Sequence, residues 1–364
     1  MGYSIYGYGH DFGNAECCTT IISNGTRIER RIPSVACIGS WRSVVASANG
    51  VGKSVQEIMQ PDHYVLEYDH LDERRIEKYI GQKVFDDGAQ PMSTHGATDR
   101  YWINNYSLEM LMVASASMVP DSEYGLHVVT GLPITTYLQD DGAKEQVQKA
   151  LIGTHHFMLN GRERTVHVLS VKVIMEGAGA LLAYGTNQDV LQGVIDIGGL
   201  TTDLYVAKGQ KPRAANSSGF KMGVTAAADL FNNKFVATYH YHLTMETRKA
   251  LLSQFVHGQV LMPVRDKKAH VIDSNLITTL INEALREIGQ EITTAILAQW
   301  DDIIMEMGTI LIVGGGAYYF AADIQSRLMG VRRAQKPEFA NVAGYAALAE
   351  ALAKRSQTQL QKGA

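Results

Sequence analysis

Val194-Ile195-Asp196-Ile197-Gly198-Gly199-Leu200-Thr201-Thr202-Asp203 decides the reading of this chain. An apolar run ends on an aspartate, turns through two glycines and two threonines, and resumes as a second apolar run, Leu204-Tyr205-Val206-Ala207. That is a buried strand, a tight hairpin and a second strand. Glycines in the turn let backbone N–H groups approach phosphate oxygens with no side chain in the way, and Thr201 and Thr202 offer hydroxyl donors. Bare phosphate would repel the Asp196 carboxylate. Mg²⁺ and its waters can join the two, because magnesium keeps several waters and takes one or two carboxylates.

Working outward, a weaker copy of the pattern lies near the N-terminus. Asp11-Phe12-Gly13-Asn14 also joins two strand-like stretches, residues 3–13 and 15–23, at an offset of 185 residues from the first motif. Two halves that each open with an Asp-x-Gly turn predict a duplicated domain sharing one ligand. Thr309-Ile310-Leu311-Ile312-Val313 is a buried strand, and Gly314-Gly315-Gly316 after it allows a flat base or sugar to come close before a helix from about Tyr318 to Met329. Glu176 ends a strand over Thr165–Val173 and opens a small-residue helix to Tyr184, where a carboxylate can orient an attacking water or simply favour the helix dipole.

Strands and helices alternate along the rest of the chain, so the class is α/β. Residues 40–60 contain a loop with Gly50 and Gly52, Asp69–Lys83 has helical spacing, and 86–100 is turn-rich. Residues 105–118 predict an apolar core helix, Leu126–Pro133 a buried strand, and Asp140–Ile152 a polar helix. A long amphipathic helix is predicted over Asn275–Trp300, with Ile277, Ile281, Leu285, Ile288, Ile292 and Ile296 on one face, and a final Ala-rich helix over Val342–Arg355.

At 364 residues the chain suits two domains, and 46% apolar residues give each a core. The net charge of −4, with scattered lysines and arginines, offers no stripe for direct nucleic-acid binding, so a DNA partner would act through an adaptor. Cys17, Cys18 and Cys37 are odd in number and fit neither a disulfide framework nor a zinc site. No signal peptide and no run of about 18 apolar residues is evident, so the expectation is a soluble cytoplasmic protein without a membrane partner. Ser47–Ser54 ends like a P-loop, but Ser47 replaces its first glycine. Gly7, Gly9 and Gly13 miss the dinucleotide spacing. His155-His156 and His240-Tyr241-His242 have no third ligand at useful spacing and read as solvated or structurally bonded.

The order of these motifs resembles the actin, chaperone and sugar-kinase superfamily, whose segments are called phosphate 1, connect 1, phosphate 2, adenosine and connect 2. Val129-Thr130-Gly131-Leu132-Pro133-Ile134-Thr135-Thr136-Tyr137 and the stretch Phe157–Val173 look like the prokaryotic actin-like proteins of the ParM/StbA type and their archaeal relatives. The resemblance spans about residues 9 to 349. It implies two duplicated ribonuclease-H-like domains, residues 1–190 completed by 337–364, and residues 191–336, with ATP or ADP and Mg²⁺ in a cleft between them.

It also implies roles. Asp11 and Asp196 would hold the magnesium water shell, and Glu176 would orient the attacking water. Gly13, Asn14, Gly198, Gly199, Thr201 and Thr202 would contact phosphate. Gly314, Gly315 and Gly316 would contact adenosine, Lys221 and Gly223 would belong to the ribose and adenine wall, and Gly344 is the connect 2 glycine where helices cross. Ala15-Glu16-Cys17-Cys18 lacks the lysine that many relatives place after the first turn, which leaves phosphate neutralisation there unassigned. The implied function is an ATPase that polymerises head to tail, with plasmid DNA moved through an adaptor. Two alternatives share the motifs: a small-molecule kinase, for which Asp203 could be argued as base, and a nucleotide-gated partner protein that never polymerises.

Overall fold

The computed structural model describes residues 2–13, 15–23, 25–69, 74–87, 92–93, 105–185 and 189–362. Asn14 and most of the expected loop over 86–100 lie outside the described residues. In chain order the elements begin with β1 (Ser4–Asp11), β2 (Glu16–Ser23), β3 (Thr26–Pro33), β4 (Val35–Ile38), α1 (Trp41–Gly50), α2 (Val55–Ile58), β5 (His63–Asp69), β6 (Arg75–Gly81), α3 (Gln82–Asp86) and β7 (Met92–Ser93). There follow α4 (Asn105–Met118), β8 (Glu123–Leu132), α5 (Ile134–Gln139), α6 (Ala143–Leu151), β9 (Gly153–Leu159), β10 (Arg162–Met175) and α7 (Ala178–Tyr184). The remainder is β11 (Leu191–Ile197), β12 (Thr202–Lys208), β13 (Lys211–Pro212), β14 (Ser218–Phe220), α8 (Val224–Tyr239), α9 (Met245–Val256), α10 (Ser274–Trp300), β15 (Met307–Val313), α11 (Ala317–Arg327), β16 (Val331–Arg333) and α12 (Ala340–Lys362).

The chain divides into two compact units. The first is Met1–Leu132, Thr136–Ala183 and Asn341–Ala364; the second is Pro133–Thr135 and Tyr184–Ala340. Each carries one sheet. In the first the order is β3-β2-β1-β8-β10-β9-β5-β6-β4-β7, and in the second β13-β12-β11-β15-β16 with β14 beside β12. The first five strands of the larger sheet match the path of the smaller one in order and in sense. β1 is antiparallel to β2 and parallel to β8, as β11 is antiparallel to β12 and parallel to β15. The hairpins even share their register, Asp11 opposite Cys18 and Asp196 opposite Asp203. The duplication predicted from two Asp-x-Gly turns is therefore present in the backbone.

Each core follows from its periodicity. In the first unit α4 buries Met110, Leu111, Met112, Val113 and Ala114 completely or nearly so, as its apolar run requires. In the second, Ile277, Ile281, Leu285, Ile288, Ile292 and Ile296 are all buried on one stripe of α10. Burying each such side chain contributes about 1.5–3 kcal/mol, which is what holds a 27-residue helix on the sheet. All three cysteines are free and buried, and burial raises their thiol pKa values, so they are unreactive packing groups.

Residues 40–60 contain the expected loop, at 51–54 with Gly52 at φ of +67°, but the sequence reading did not foresee the helices on either side of it. Ser40 caps α1 by accepting the Ser43 N–H at 3.2 Å, Val44 and Ala48 are buried one turn apart, and Ser54 begins α2 with its N–H donated to Glu57 Oε2 at 2.6 Å. The P-loop-like stretch is thus the end of one helix and the cap of the next. The expectation of helix over Asp69–Lys83 was wrong. Its described part is mainly strand β6, paired antiparallel to β5 and β4. Ile76, Lys78 and Ile80 share one face, and Lys78 Nζ reaches the buried Glu109 at 2.7 Å. A lysine on the inward face hid the period of two.

Candidate functional site

In the first unit the candidate residues gather at the carboxyl ends of three parallel strands, where open α/β sheets bind ligands. His10 of β1 lies level with Thr130 of β8, and Thr130 level with Val173 of β10. Asp11, Gly131 and Glu176 therefore lie at or just past neighbouring strand ends. The Glu176 N–H donates to the Leu132 carbonyl at 2.9 Å. A Cβ on Gly131 would run into the Tyr345 hydroxyl and meet Glu176 Cγ at 3.0 Å, so the glycine makes room for both side chains. Behind Glu176 the chain is pinned. Asn341 Oδ1, at the start of α12, accepts from Gly177 N–H at 3.1 Å and Ala180 N–H at 3.2 Å, capping α7. A Cβ on Gly344 would collide with the Gly179 carbonyl, so Gly344 serves the contact between α7 and α12. Gly13 closes the β1–β2 turn. A Cβ there would strike the Glu16 carbonyl, and the Gly13 carbonyl accepts the Ser34 hydroxyl at 2.7 Å.

Beneath Asp11 lies a group that sequence reasoning passed over. His10 is fully buried between Tyr8, whose hydroxyl is 2.7 Å from Nδ1, and the Phe12 ring at 3.9 Å. Burial lowers its pKa to about 3, so the imidazole is neutral and stiffens the strand that presents Asp11.

In the second unit the β11–β12 hairpin forms as expected, but its donors are distributed differently. The Gly198 N–H closes the turn on the Thr201 carbonyl at 2.8 Å. Thr202 is buried and donates its hydroxyl to the Met222 carbonyl at 2.7 Å, and Thr201 bonds the Asp203 carboxylate. The threonine hydroxyls thus hold the hairpin together. The carbonyls of Gly198 and Gly199 accept the first N–H groups of α8, Val224 at 3.2 Å and Thr225 at 2.8 Å. A Cβ on Gly223 would sit 2.5 Å from the Gly198 carbonyl oxygen, so only glycine lets the helix start there. Lys221 is exposed on the approach to that helix.

The triple glycine separates into roles. Gly314 has φ of +79°, a left-handed conformation that favours glycine, and a Cβ would strike Asp196. A Cβ on Gly316 would strike Ile197, and its N–H donates to the Ile197 carbonyl at 2.8 Å. Gly315 is exposed, and a Cβ there would meet nothing within 4 Å. Two of the glycines therefore join β15 to β11, while Gly315 faces open space.

Asp203 is the residue sequence reasoning undervalued. It stands directly opposite Asp196 in the ladder, so both carboxylates face the same side of the sheet. It is 3% exposed and accepts the Ile134 N–H at 3.0 Å. That bond ties the Pro133–Thr135 segment, which leaves β8, to the β11–β12 hairpin. Burial pushes the Asp203 carboxyl up to about 6, although the Ile134 and Thr201 bonds pull the other way. The folded state thus holds this proton more tightly than the unfolded chain, whose ordinary value is 3.8. Its stabilising effect is complete below that value and is lost as pH rises to about 6. Asp203→Asn keeps an acceptor for Ile134 and removes the titration. Urea midpoints are expected to fall between pH about 4 and about 7 less for Asp203→Asn than for the wild type. Equal changes in both proteins would contradict this.

Among the described residues no group of three or more His, Cys, Asp or Glu side chains is arranged to hold a metal ion. The histidine pairs are accounted for within the fold. His155 Nε2 lies 2.9 Å from the Leu151 carbonyl, His156 Nδ1 3.0 Å from Thr165, and His242 Nδ1 3.0 Å from Asn232. His240, at φ of +59°, ends α8. Among the described residues no helix is long and apolar enough to cross a membrane.

Comparison with known proteins follows the same division. Residues 22–179 match the family of actin like proteins, N terminal domain, and residues 194–326 match the archaeal actin homologue MreB-like family, C-terminal. Among solved structures, the chain resembles a 15-stranded ParM filament from Clostridium botulinum with a TM-score of 0.75 at 18% identity, covering 97% of this chain and 99% of that one. It resembles the actin-like protein Alp7A with a TM-score of 0.73 at 16% identity, covering 99% and 100%. For Ta0583, an archaeal actin homologue in complex with ADP, the TM-score is 0.70 at 18% identity, covering 95% and 99%. No curated protein matches the chain.

Proposed function

The chain belongs to the prokaryotic actin-like proteins, and from that premise we propose that it binds Mg·ATP through its two Asp-x-Gly turns, hydrolyses it, and polymerises according to the nucleotide it holds. The observation that carries the proposal is the repeated hairpin, Asp11 opposite Cys18 and Asp196 opposite Asp203, at matching strand ends of two sheets with one topology. A duplicated phosphate turn serves a single polyphosphate when both copies contribute to it.

In this reading the N–H groups of the β11–β12 turn take the phosphates. Asp11 and Asp196 order the waters of Mg²⁺, which supplies charge neutralisation when bound. Gly315 leaves room for the adenosine. Glu176 holds the attacking water in line and accepts its proton, which is the positioning that phosphoryl transfer needs. Hydrolysis then weakens the link between nucleotide and hairpin, and the Asp203–Ile134 bond passes that change to the end of β8.

Polymerisation by a heterologous contact that does not close gives a filament. The solved ParM relative is described as a filament. Moving plasmid DNA through a DNA-binding adaptor in the cytoplasm is the cellular use that suits a filament with no basic stripe of its own. The kinase alternative is disfavoured because Asp203 is buried and already bonded to Ile134 and Thr201, which leaves it poorly placed as a base for a substrate hydroxyl. Sedimentation with and without Mg·ATP tests the proposal. A pellet that needs Mg·ATP is expected, and no pellet at high protein concentration would refute the filament.

A further inference from the structure

Tyr345 of α12 is fully buried, and glycines from three other elements make room for it. A Cβ on Gly9 of β1 would meet Tyr345 Cβ at 3.1 Å. A Cβ on Gly179 of α7 would sit 2.7 Å from Tyr345 Cδ1. One on Gly131 of β8 would sit 3.0 Å from Cζ and strike the hydroxyl. Gly9 lies level with Val129, two residues before Gly131, so both glycines open the same face of the sheet. The ring therefore lies in a channel free of side chains, and its hydroxyl ends at Gly131.

Glu176 arrives at the same place. Its Cγ lies 3.0 Å from the point that a Gly131 Cβ would take, the point that the Tyr345 hydroxyl also crowds. The carboxylate begins one bond beyond Cγ, so hydroxyl and carboxylate are neighbours. Glu176 is half-buried, which leaves part of its side chain open to solvent. Buried tyrosine hydroxyls find hydrogen-bond partners, and an ionised carboxylate is a strong acceptor. The same helix also holds the backbone that follows Glu176. Asn341 Oδ1 accepts from Gly177 N–H at 3.1 Å and from Ala180 N–H at 3.2 Å. Asn341 and Tyr345 are four residues apart, so they share one face of α12. Phenylalanine would fill the channel equally well; what tyrosine adds is a donor placed beside the glutamate.

We propose that Tyr345 is a positioning residue for Glu176: its hydroxyl donates to one carboxylate oxygen and leaves the other to the attacking water. A glutamate side chain turns about several bonds, and a fixed donor on its buried side selects one orientation. Tyr345 acts only through Glu176. The proposal rests on the role read above for Glu176 and adds what orients it.

Tyr345→Phe tests it, because phenylalanine keeps the ring in its channel and removes only the hydroxyl. The kcat for Mg·ATP hydrolysis is expected to fall about tenfold, with Mg·ATP affinity within about twofold of the wild type. In the Glu176→Ala background the same substitution is expected to change phosphate release by less than about twofold, because residues that act as a unit are not additive. A Tyr345→Phe protein with wild-type kcat would overturn the proposal. Lost Mg·ATP affinity in that variant, or a further tenfold loss of turnover in the Glu176→Ala background, would show a structural role alone and overturn it too. Wild-type turnover in Glu176→Ala by itself would instead overturn the reading of Glu176, and this proposal with it.

Discussion

Replacing Glu176 with alanine is expected to leave Mg·ATP binding nearly unchanged and to slow phosphate release by about 10²- to 10⁴-fold, the range contributed by a positioned acid or base. The geometry supports a specific effect on turnover. The Glu176 backbone is held by the Leu132 carbonyl at 2.9 Å, and the next turn is capped by Asn341. Removing the side chain therefore leaves its surroundings in place. Gly131 provides the space into which Cγ fits, so the carboxylate is placed by the ends of two strands and by α12. If polymer stability tracks the ATP state, Glu176→Ala filaments should also outlive those of the wild type. Stopped-flow phosphate release and a nucleotide-binding titration on the same preparation check this. Unchanged turnover would remove Glu176 from its role.

The second large effect concerns stability. Glu109 on α4 has no exposed surface and accepts from Lys78 Nζ at 2.7 and 2.8 Å and from the Tyr68 hydroxyl at 2.7 Å. A buried charge is tolerable only while it is paired, and removing one partner costs about 3–5 kcal/mol. Lys78→Met is expected to lower the unfolding free energy of the first unit by that amount. Adding Glu109→Leu should recover most of the loss, since a buried ion pair is often replaceable by apolar groups of similar size. Urea denaturation of the two variants decides this. A Lys78→Met protein as stable as the wild type would show that Glu109 is neutralised in another way.

The same pair explains where sequence reading failed. Arg75–Gly81 is a strand whose inward face runs Ile76, Lys78, Ile80. With a lysine in the middle of that face, the remaining Ile76, Tyr79 and Ile80 sit at helical spacing. Only the tertiary contact with Glu109 reveals the true period. Helix α1 was missed for another reason. Gly50 and Gly52 drew attention to the end of the segment, while the Ser40 cap and the Val44–Ala48 pair at its start carried the signal.

The duplicated turns were legible because aspartate and glycine between apolar runs admit few readings, and α10 was legible because six aliphatic residues keep one stripe. The division of labour inside the hairpin was not. That Thr202 is bonded to Met222, and that Asp203 faces Asp196 and holds Ile134, depends on ladder register and on segments distant in sequence. Likewise nothing local separates Gly315 from its two neighbours; the packing of β15 against β11 does.

The central claim is that one Mg·ATP needs both Asp-x-Gly turns. Titration of Mg·ATP into wild type, Asp11→Ala and Asp196→Ala tests it most directly. Each substitution is expected to weaken binding by about 10- to 100-fold, the equivalent of about 1.5–3 kcal/mol for bonds to a charged group. A variant at either aspartate that binds Mg·ATP as tightly as the wild type would contradict a shared site.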